Sequence, residues 1–295
     1  MPKQKINGNF MSLQESHPLW EALETQPFWW SNILNDPELY VEVRKDNYIN
    51  VYYYGGCVAL IYWTKDGLMA ETNRKYANDN FGAKALSNTS CYCNCQALFQ
   101  SPENLDAIKR RIAEVYHKQP MQAETDSLKG VHISSEKMVQ GKLILHSPYK
   151  FIDSELAYQT QGRKTMRIDL IELRNQMLVF VELKLITDSR LRHINDTPEI
   201  MEQMKKYHDF IHQDNHLEAL KRYYHKILQI KRRIGIWEGK NTIESISTRP
   251  ELLIIDTYSR MTKNRQTRIA NIRKSLETGG SFFDFSIQKY QDLCK

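Results

Sequence analysis

The chain has 295 residues, 41% hydrophobic and 26% charged. That is enough apolar material for one large or two ordinary globular domains and argues against a disordered or fibrous protein. The net charge is +6 but uneven: after residue 200 there are 18 Lys and Arg against 11 Asp and Glu, and before it 23 against 24. A cationic C-terminal third suits an acidic polymer such as nucleic acid, or is a set of solvated helix faces. The five cysteines, an odd number in a chain of this length, argue against a secreted disulfide framework. The first residues, Met1 to Asn9, hold no apolar signal region. The long uncharged run 47–64 contains Gly55-Gly56 and reads as two strands around a turn rather than a membrane span. A reduced, cytoplasmic setting without a membrane partner is expected.

In chain order, residues 14–35 suggest helical pieces carrying Trp20, Phe28, Trp29 and Trp30. Strand-like runs follow at Leu39–Val43, Tyr48–Tyr54 and Val58–Trp63, separated by Asp46-Asn47 and Gly55-Gly56 and ended by Lys65-Asp66-Gly67. This pattern predicts an antiparallel meander over about 38–75. Residues 86–97 read as irregular and hold Cys91, Cys93 and Cys95. Ser101-Pro102-Glu103 opens a helix to about His117. A boundary is expected near 135/136, between an N-terminal α+β domain and a second domain over 136–295.

The second half begins with a predicted helix over Pro148–Thr160. A hairpin follows, Thr165–Leu173 and Met177–Leu185, joined through Arg174-Asn175-Gln176. Next come helices over Pro198–His212 and His216–Arg233, a short buried strand Leu252–Asp256, and a basic helix Thr262–Glu277 ended by Gly279-Gly280. Strands and helices mixed in this order predict an α/β (α+β) layered fold.

The chemistry lies in the hairpin. Glu182 and Lys184 are two apart on a strand, so their side chains leave one face. Asp169 is an acid set inside an apolar run, and the hairpin brings it near Glu182. Adjacent carboxylates repel and raise each other's pKa unless a cation lies between them. A hard divalent ion with oxygen ligands, Mg²⁺ or Mn²⁺, resolves that repulsion, and the Leu183 backbone carbonyl is placed to add a ligand. Such an ion binds a phosphate oxygen and acidifies water, while Lys184 orients that water or stabilises charge on the phosphate. Glu155 precedes the hairpin as a third acid. Gln203 and Tyr207, four apart, share a face of the following helix.

These residues resemble the PD-(D/E)xK nuclease superfamily. Asp169 and Glu182-Leu183-Lys184 look like its signature, Glu155 matches the helical acid that many members place first, and Gln203-Met204-Lys205-Lys206-Tyr207 looks like the Q-x-x-x-Y motif of the RecB-like and lambda-exonuclease-like branch. The resemblance spans roughly residues 148–210 and none of the N-terminal half, and Ile168 stands where the signature has Pro. It implies a restriction-endonuclease-like mixed sheet flanked by helices, Mg²⁺ or Mn²⁺ dependence, and phosphodiester cleavage, of DNA ahead of RNA. It also implies metal ligation by Asp169 and Glu182 with help from Glu155, catalysis by Lys184, and support from Gln203 and Tyr207. The alternative is a catalytically inactive nucleic-acid-binding or scaffold protein that keeps the fold.

The nucleic-acid contacts expected from the sequence are Lys205, Lys206, Lys221, Arg222, Lys231, Arg232 and Arg233, on helices where aromatics interleave with cations. The bland reading is an apolar stripe of Tyr223, Ile227, Ile230 and Ile234 with the cations facing water. Cys91, Cys93 and Cys95 lack the C-x-x-C spacing of a zinc site and read as free thiols. The meander suits a substrate-recognition module, a partner-binding sheet or the surface of a homodimer.

Overall fold

A computed structural model describes residues 12–77, 92–116, 135–147, 149–159, 165–194, 197–213, 216–239 and 242–293. The protein is a mixed α/β chain of two compact units. One comprises Phe10–Leu145 and Lys226–Gly239; the other comprises His146–His225 and Lys240–Lys295.

The first unit starts with two short helices, α1 (Pro18–Glu24) and α2 (Phe28–Leu34), whose Trp20 and Trp30 are fully buried. The meander follows as β1 (Leu39–Arg44), β2 (Tyr48–Tyr53), β3 (Gly56–Thr64) and β4 (Gly67–Asn73), all antiparallel. A fifth strand, β5 (Tyr92–Asn94), pairs with β4, so Cys93 lies in a strand where the sequence suggested irregular chain. Cys95 is buried, while Cys91 lies outside the described residues. Helix α3 (Pro102–Tyr116) begins at the expected Pro, and α4 (Glu136–His146) completes this part of the chain.

The expected boundary at 135/136 falls instead between Leu145 and His146. The reason is that α4 lies against the β2–β3 turn. A Cβ built on Gly141 would stand 2.6 Å from Tyr54 Cα, so only glycine permits this approach. The last turns of a later helix also return to this unit. There the Trp30 indole N–H donates to the Ile234 carbonyl (3.4 Å), and the Lys231 ammonium donates to Glu42 Oε2 (3.0 Å).

The second unit is built on a six-stranded mixed sheet. Its strands are β6 (Phe151–Gln159), β7 (Thr165–Arg174), β8 (Met177–Leu185), β11 (Ser245–Ile246), β12 (Glu251–Asp256) and β13 (Asp284–Lys289), in the order β13-β12-β8-β7-β6 with β11 pairing the start of β8. A small separate ladder joins β9 (His193–Ile194) and β10 (Thr197–Pro198). Helices α5 (Glu199–Ile211) and α6 (His216–Arg233) precede β11, and α7 (Lys263–Gly279) links β12 to β13. Ile200, Met201 and Met204 of α5 and Ile272 and Leu276 of α7 form one core with Leu252 and Ile254 of β12.

The β7–β8 hairpin closes through Asn175 and Gln176, both at positive φ, as a two-residue turn matched to strand twist requires. β12 runs parallel to β8 on its other side, which makes β8 the central strand and buries Leu178 through Lys184 without a break. Such burial explains why β8 reads as a near-continuous apolar run.

The predicted helix over Pro148–Thr160 is corrected: Phe151–Gln159 is the edge strand β6, antiparallel to β7. A bulge between Phe151 and Asp153 buries four consecutive residues, Phe151 to Ser154, and so erases the alternation that identifies a strand. Among the described residues no helix is long and apolar enough to cross a membrane.

Removing one partner of a buried ion pair leaves an uncompensated charge, so Lys231→Ala is expected to cost about 3–5 kcal/mol. Glu42→Leu/Lys231→Met is expected to recover most of that loss. Urea midpoints for the two proteins check both; a single variant as stable as the parent would refute the structural role of the pair.

Candidate active site

Three acids fall in one row across three strands. On β7 and β8 the paired residues run as far as Leu170 opposite Val181, so Asp169 and Glu182 are the next step of the same register. On β6 and β7 the pairs Ser154–Leu170 and Leu156–Ile168 bracket Glu155 and Asp169. Opposed residues in antiparallel strands share a face, and Lys184 lies on the Glu182 face one alternation further on.

At Asp169 the two strands part. The Leu183 N–H donates to the Asp169 carboxylate (Oδ2, 3.0 Å) instead of to a backbone carbonyl of β7. The side chain thus satisfies a backbone donor that the fork would leave unpaired. Into the same fork Lys184 turns its ammonium. It donates to the Leu183 carbonyl (2.6 Å), pairs with Glu182 Oε1, and lies 3.5 Å from Asp169 Oδ2. The Glu182 and Lys184 side chains are 1% and 2% exposed, and Asp169 is 16% exposed.

Helix α5 closes the site from the facing layer. Gln203 and Tyr207 stand one turn apart, and Tyr207 is fully buried. The Gln203 amide donates to Glu182 Oε1 (2.6 Å) and to the Tyr207 hydroxyl (3.2 Å). That hydroxyl lies 2.5 Å from Glu182 Oε2 and also reaches the Arg167 carbonyl. One hydroxyl proton serves one acceptor at a time. A proton on Glu182 lets both contacts form, with Glu182 donating to Tyr207 and Tyr207 donating to Arg167.

The electrostatics agree with this count. Burial first, and then the charge of Asp169, push the Glu182 carboxyl up to about 7, against the opposing pull of Lys184. Burial also raises the Tyr207 hydroxyl well above its ordinary value, followed by the charges of Glu182 and Asp169. Beyond the strand, burial raises the Asp188 carboxyl, but hydrogen bonds from Arg190 and then the charges of Arg190 and Lys184 outweigh it and leave the group below its usual value.

The structure therefore brings together Asp169, Glu182, the Leu183 carbonyl, Lys184, Gln203 and Tyr207. Glu155 is different. It belongs to a strand rather than the expected helix, sits at φ 58, and pairs loosely with Arg167 at 3.9 Å. A left-handed conformation at a residue with a side chain is strained, and here it occurs in the row of acids. Sequence reasoning passed over Asp153, a buried acid whose Oδ1 accepts from the Ser154 N–H (2.8 Å) and whose Oδ2 accepts from the Tyr224 hydroxyl (3.2 Å). The signal was an acid directly after the apolar pair Phe151-Ile152, obscured by reading that segment as a helix.

Several cations expected to contact nucleic acid are committed elsewhere. Lys231 is buried against Glu42 and is withdrawn from any surface role. Arg232 donates to the Gly239 carbonyl and Arg233 pairs with Glu24. Lys221 pairs with Glu218 and Lys205 pairs at the surface with Asp209, and Lys205, Lys206 and Arg222 are all exposed. The apolar stripe is real: Tyr223, Ile227, Ile230 and Ile234 are all buried.

Among the described residues no group of three or more His, Cys, Asp or Glu side chains is arranged to hold a metal ion. The oxygen set here is two carboxylates and one backbone carbonyl. Comparison with family models, with curated proteins and with solved structures gives no match. The functional reading therefore rests on the site itself.

Because the Glu182 carboxyl titrates near 7 when folded and near 4.5 when unfolded, the folded state binds the extra proton between those values. Stability without divalent cations is expected to fall as pH rises through that window, by about 3 kcal/mol in all. Glu182→Gln should lack this loss. Urea midpoints at the two ends of the window, in EDTA, measure it; equal losses in both proteins would contradict the assignment.

Proposed function

We propose that the second unit is a divalent-metal-dependent nuclease of the PD-(D/E)xK type that hydrolyses phosphodiester bonds, in DNA ahead of RNA. One observation carries the reading. The Lys184 ammonium lies where Asp169 Oδ2, Glu182 Oε1 and the Leu183 carbonyl converge, so a cation already marks an oxygen-lined position. Hard oxygen donors from two carboxylates and a carbonyl fit Mg²⁺ or Mn²⁺, which keep part of their shell for water and phosphate. The mixed sheet, with β8 central and α5 and α7 packed on the face of Glu182, agrees with the restriction-endonuclease-like arrangement that the motif implies.

Asp169, Glu182 and the Leu183 carbonyl would hold the ion, which when bound supplies Lewis acidity toward a phosphate oxygen and a lower pKa for bound water. Asp169 has a second task, since its bond to the Leu183 N–H fixes the peptide whose carbonyl faces the site. Gln203 and Tyr207 orient the Glu182 carboxylate, one contact to each oxygen. Lys184 keeps a mobile point charge on a four-carbon stem. It is placed to donate to the attacking water or to the charge that develops on the phosphate.

Cleavage of single- and double-stranded DNA and RNA is to be assayed with Mg²⁺, with Mn²⁺ and with EDTA. Cutting is expected only with metal, and Asp169→Asn and Lys184→Ala are each expected to slow it by about 10²–10³-fold or more. Cutting in EDTA, or full activity in both variants, would refute the mechanism. Absence of cleavage together with absence of Mn²⁺ binding would favour a binding or scaffold protein that keeps the fold. Tyr207→Phe keeps the ring in its buried place but removes the contact to Glu182 Oε2. Its expected signature is a weaker apparent affinity for Mn²⁺ by about 10–100-fold, read by titrating cleavage against metal; an unchanged midpoint would count against the orienting role.

A further inference from the structure

A cavity of about 400 Å³ lies between α7 and the segment that follows β8. Arg192 and Arg268 line it together with the amides of Asn264 and Asn271 and the hydroxyl of Thr267, while Leu191 and Ile272 supply apolar wall. No carboxylate is among these lining residues. Guanidinium groups donate and never accept, so the cavity offers hydrogen bonds chiefly to an acceptor-rich ligand. Arg268 sharpens this. Its Nη2 donates to the Asp188 carbonyl (3.4 Å), yet its buried Nε–H has no hydrogen-bond partner among the described residues. The planar guanidinium of Arg268 suits a phosphate oxygen.

The volume is at the lower end of small-ligand pockets; it exceeds what a lone phosphate fills and has apolar wall to spare for a sugar or base. The helix behind it adds to the field, since α7 carries Lys263, Arg265, Arg268, Arg273 and Lys274 against a single acid, Glu277. The cavity is also tied to the acid row. Asp188, whose carbonyl holds Arg268, lies four residues beyond Lys184, within about 14 Å along the chain.

We infer that this cavity seats one nucleotide of the nucleic-acid strand, its phosphate on Arg192 and Arg268. The inference rests on the nuclease reading for the identity of the polymer, and on the cavity alone for the phosphate.

The test is fluorescence anisotropy of the full chain in EDTA with short labelled single-stranded DNA and RNA, each with and without a 5′-phosphate, at about 50 and about 200 mM salt. Arg192 is exposed, so Arg192→Glu leaves the core untouched; Arg268→Ala is the second variant. Each is expected to weaken binding about tenfold or more, and to flatten the dependence of log K on log salt by about 0.7 for each phosphate no longer neutralised. Arg111→Glu, the same charge reversal on exposed α3 surface, is expected to bind as the parent does. Dependence on the terminal phosphate would assign the interaction to a strand end, and independence to an internal phosphodiester; both support the cavity. Parental affinity in both arginine variants, or equal weakening by Arg111→Glu, would overturn it even where the parent cleaves. Weakened binding in a chain that cuts nothing with Mg²⁺ would keep the cavity and remove the nuclease reading instead.

Discussion

A carboxylate and an ammonium, Glu182 and Lys184, lie almost wholly out of water on the central strand of a six-stranded sheet. Removing two such groups from water is unfavourable by several kcal/mol each unless geometry and further hydrogen bonds offset it. Much of the second unit's architecture can be understood as that offset. The fork at Asp169 provides the third charge and the Leu183 carbonyl, while α5 delivers Gln203 and Tyr207 to the two oxygens of Glu182. An apolar pair of the same shape would be easier to bury, so stability alone does not account for the charges at this position.

The fork itself follows from sheet topology. β7 pairs with β8 near the hairpin turn and with β6 along most of its length, while the far half of β8 pairs with the parallel β12. Beyond Val181 the central strand is therefore held on one side only, and the gap on the other side holds Asp169 in place of a ladder bond. Parallel strands need long crossovers, and the crossover after β12 is α7, which returns its cationic length past the segment leaving β8. The arginine-lined cavity and the acid row are thus joined by one strand end, with opposite charge at its two sides.

Helix α6 shows how one amphipathic sequence divides its labour. Its apolar stripe is buried along its length, but its residues are shared between the two units, with Tyr224 donating to Asp153 in one and Lys231 donating to Glu42 in the other. Cations near its end consequently serve as internal partners or caps. The cations left exposed on α5 and α6 include Lys205, Lys206 and Arg222.

The sequence alone determined the local elements of the site. Apolar density around Glu182 and Lys184 marked a strand, Arg174-Asn175-Gln176 marked its turn, and the four-residue spacing of Gln203 and Tyr207 marked one helix face, because alternation and helical period are properties of neighbouring residues. Only the tertiary structure decided the rest. Glu155 proved to stand on a strand because a bulge on β6 hides its period, and α4 joined the first unit because Gly141 meets a turn some 87 residues earlier. Lys231 lost its surface role for the same reason, its partner Glu42 lying 189 residues away. Burial, pairing across distant strands and the convergence of three oxygens on one ammonium depend on which segments meet, and no local pattern encodes that.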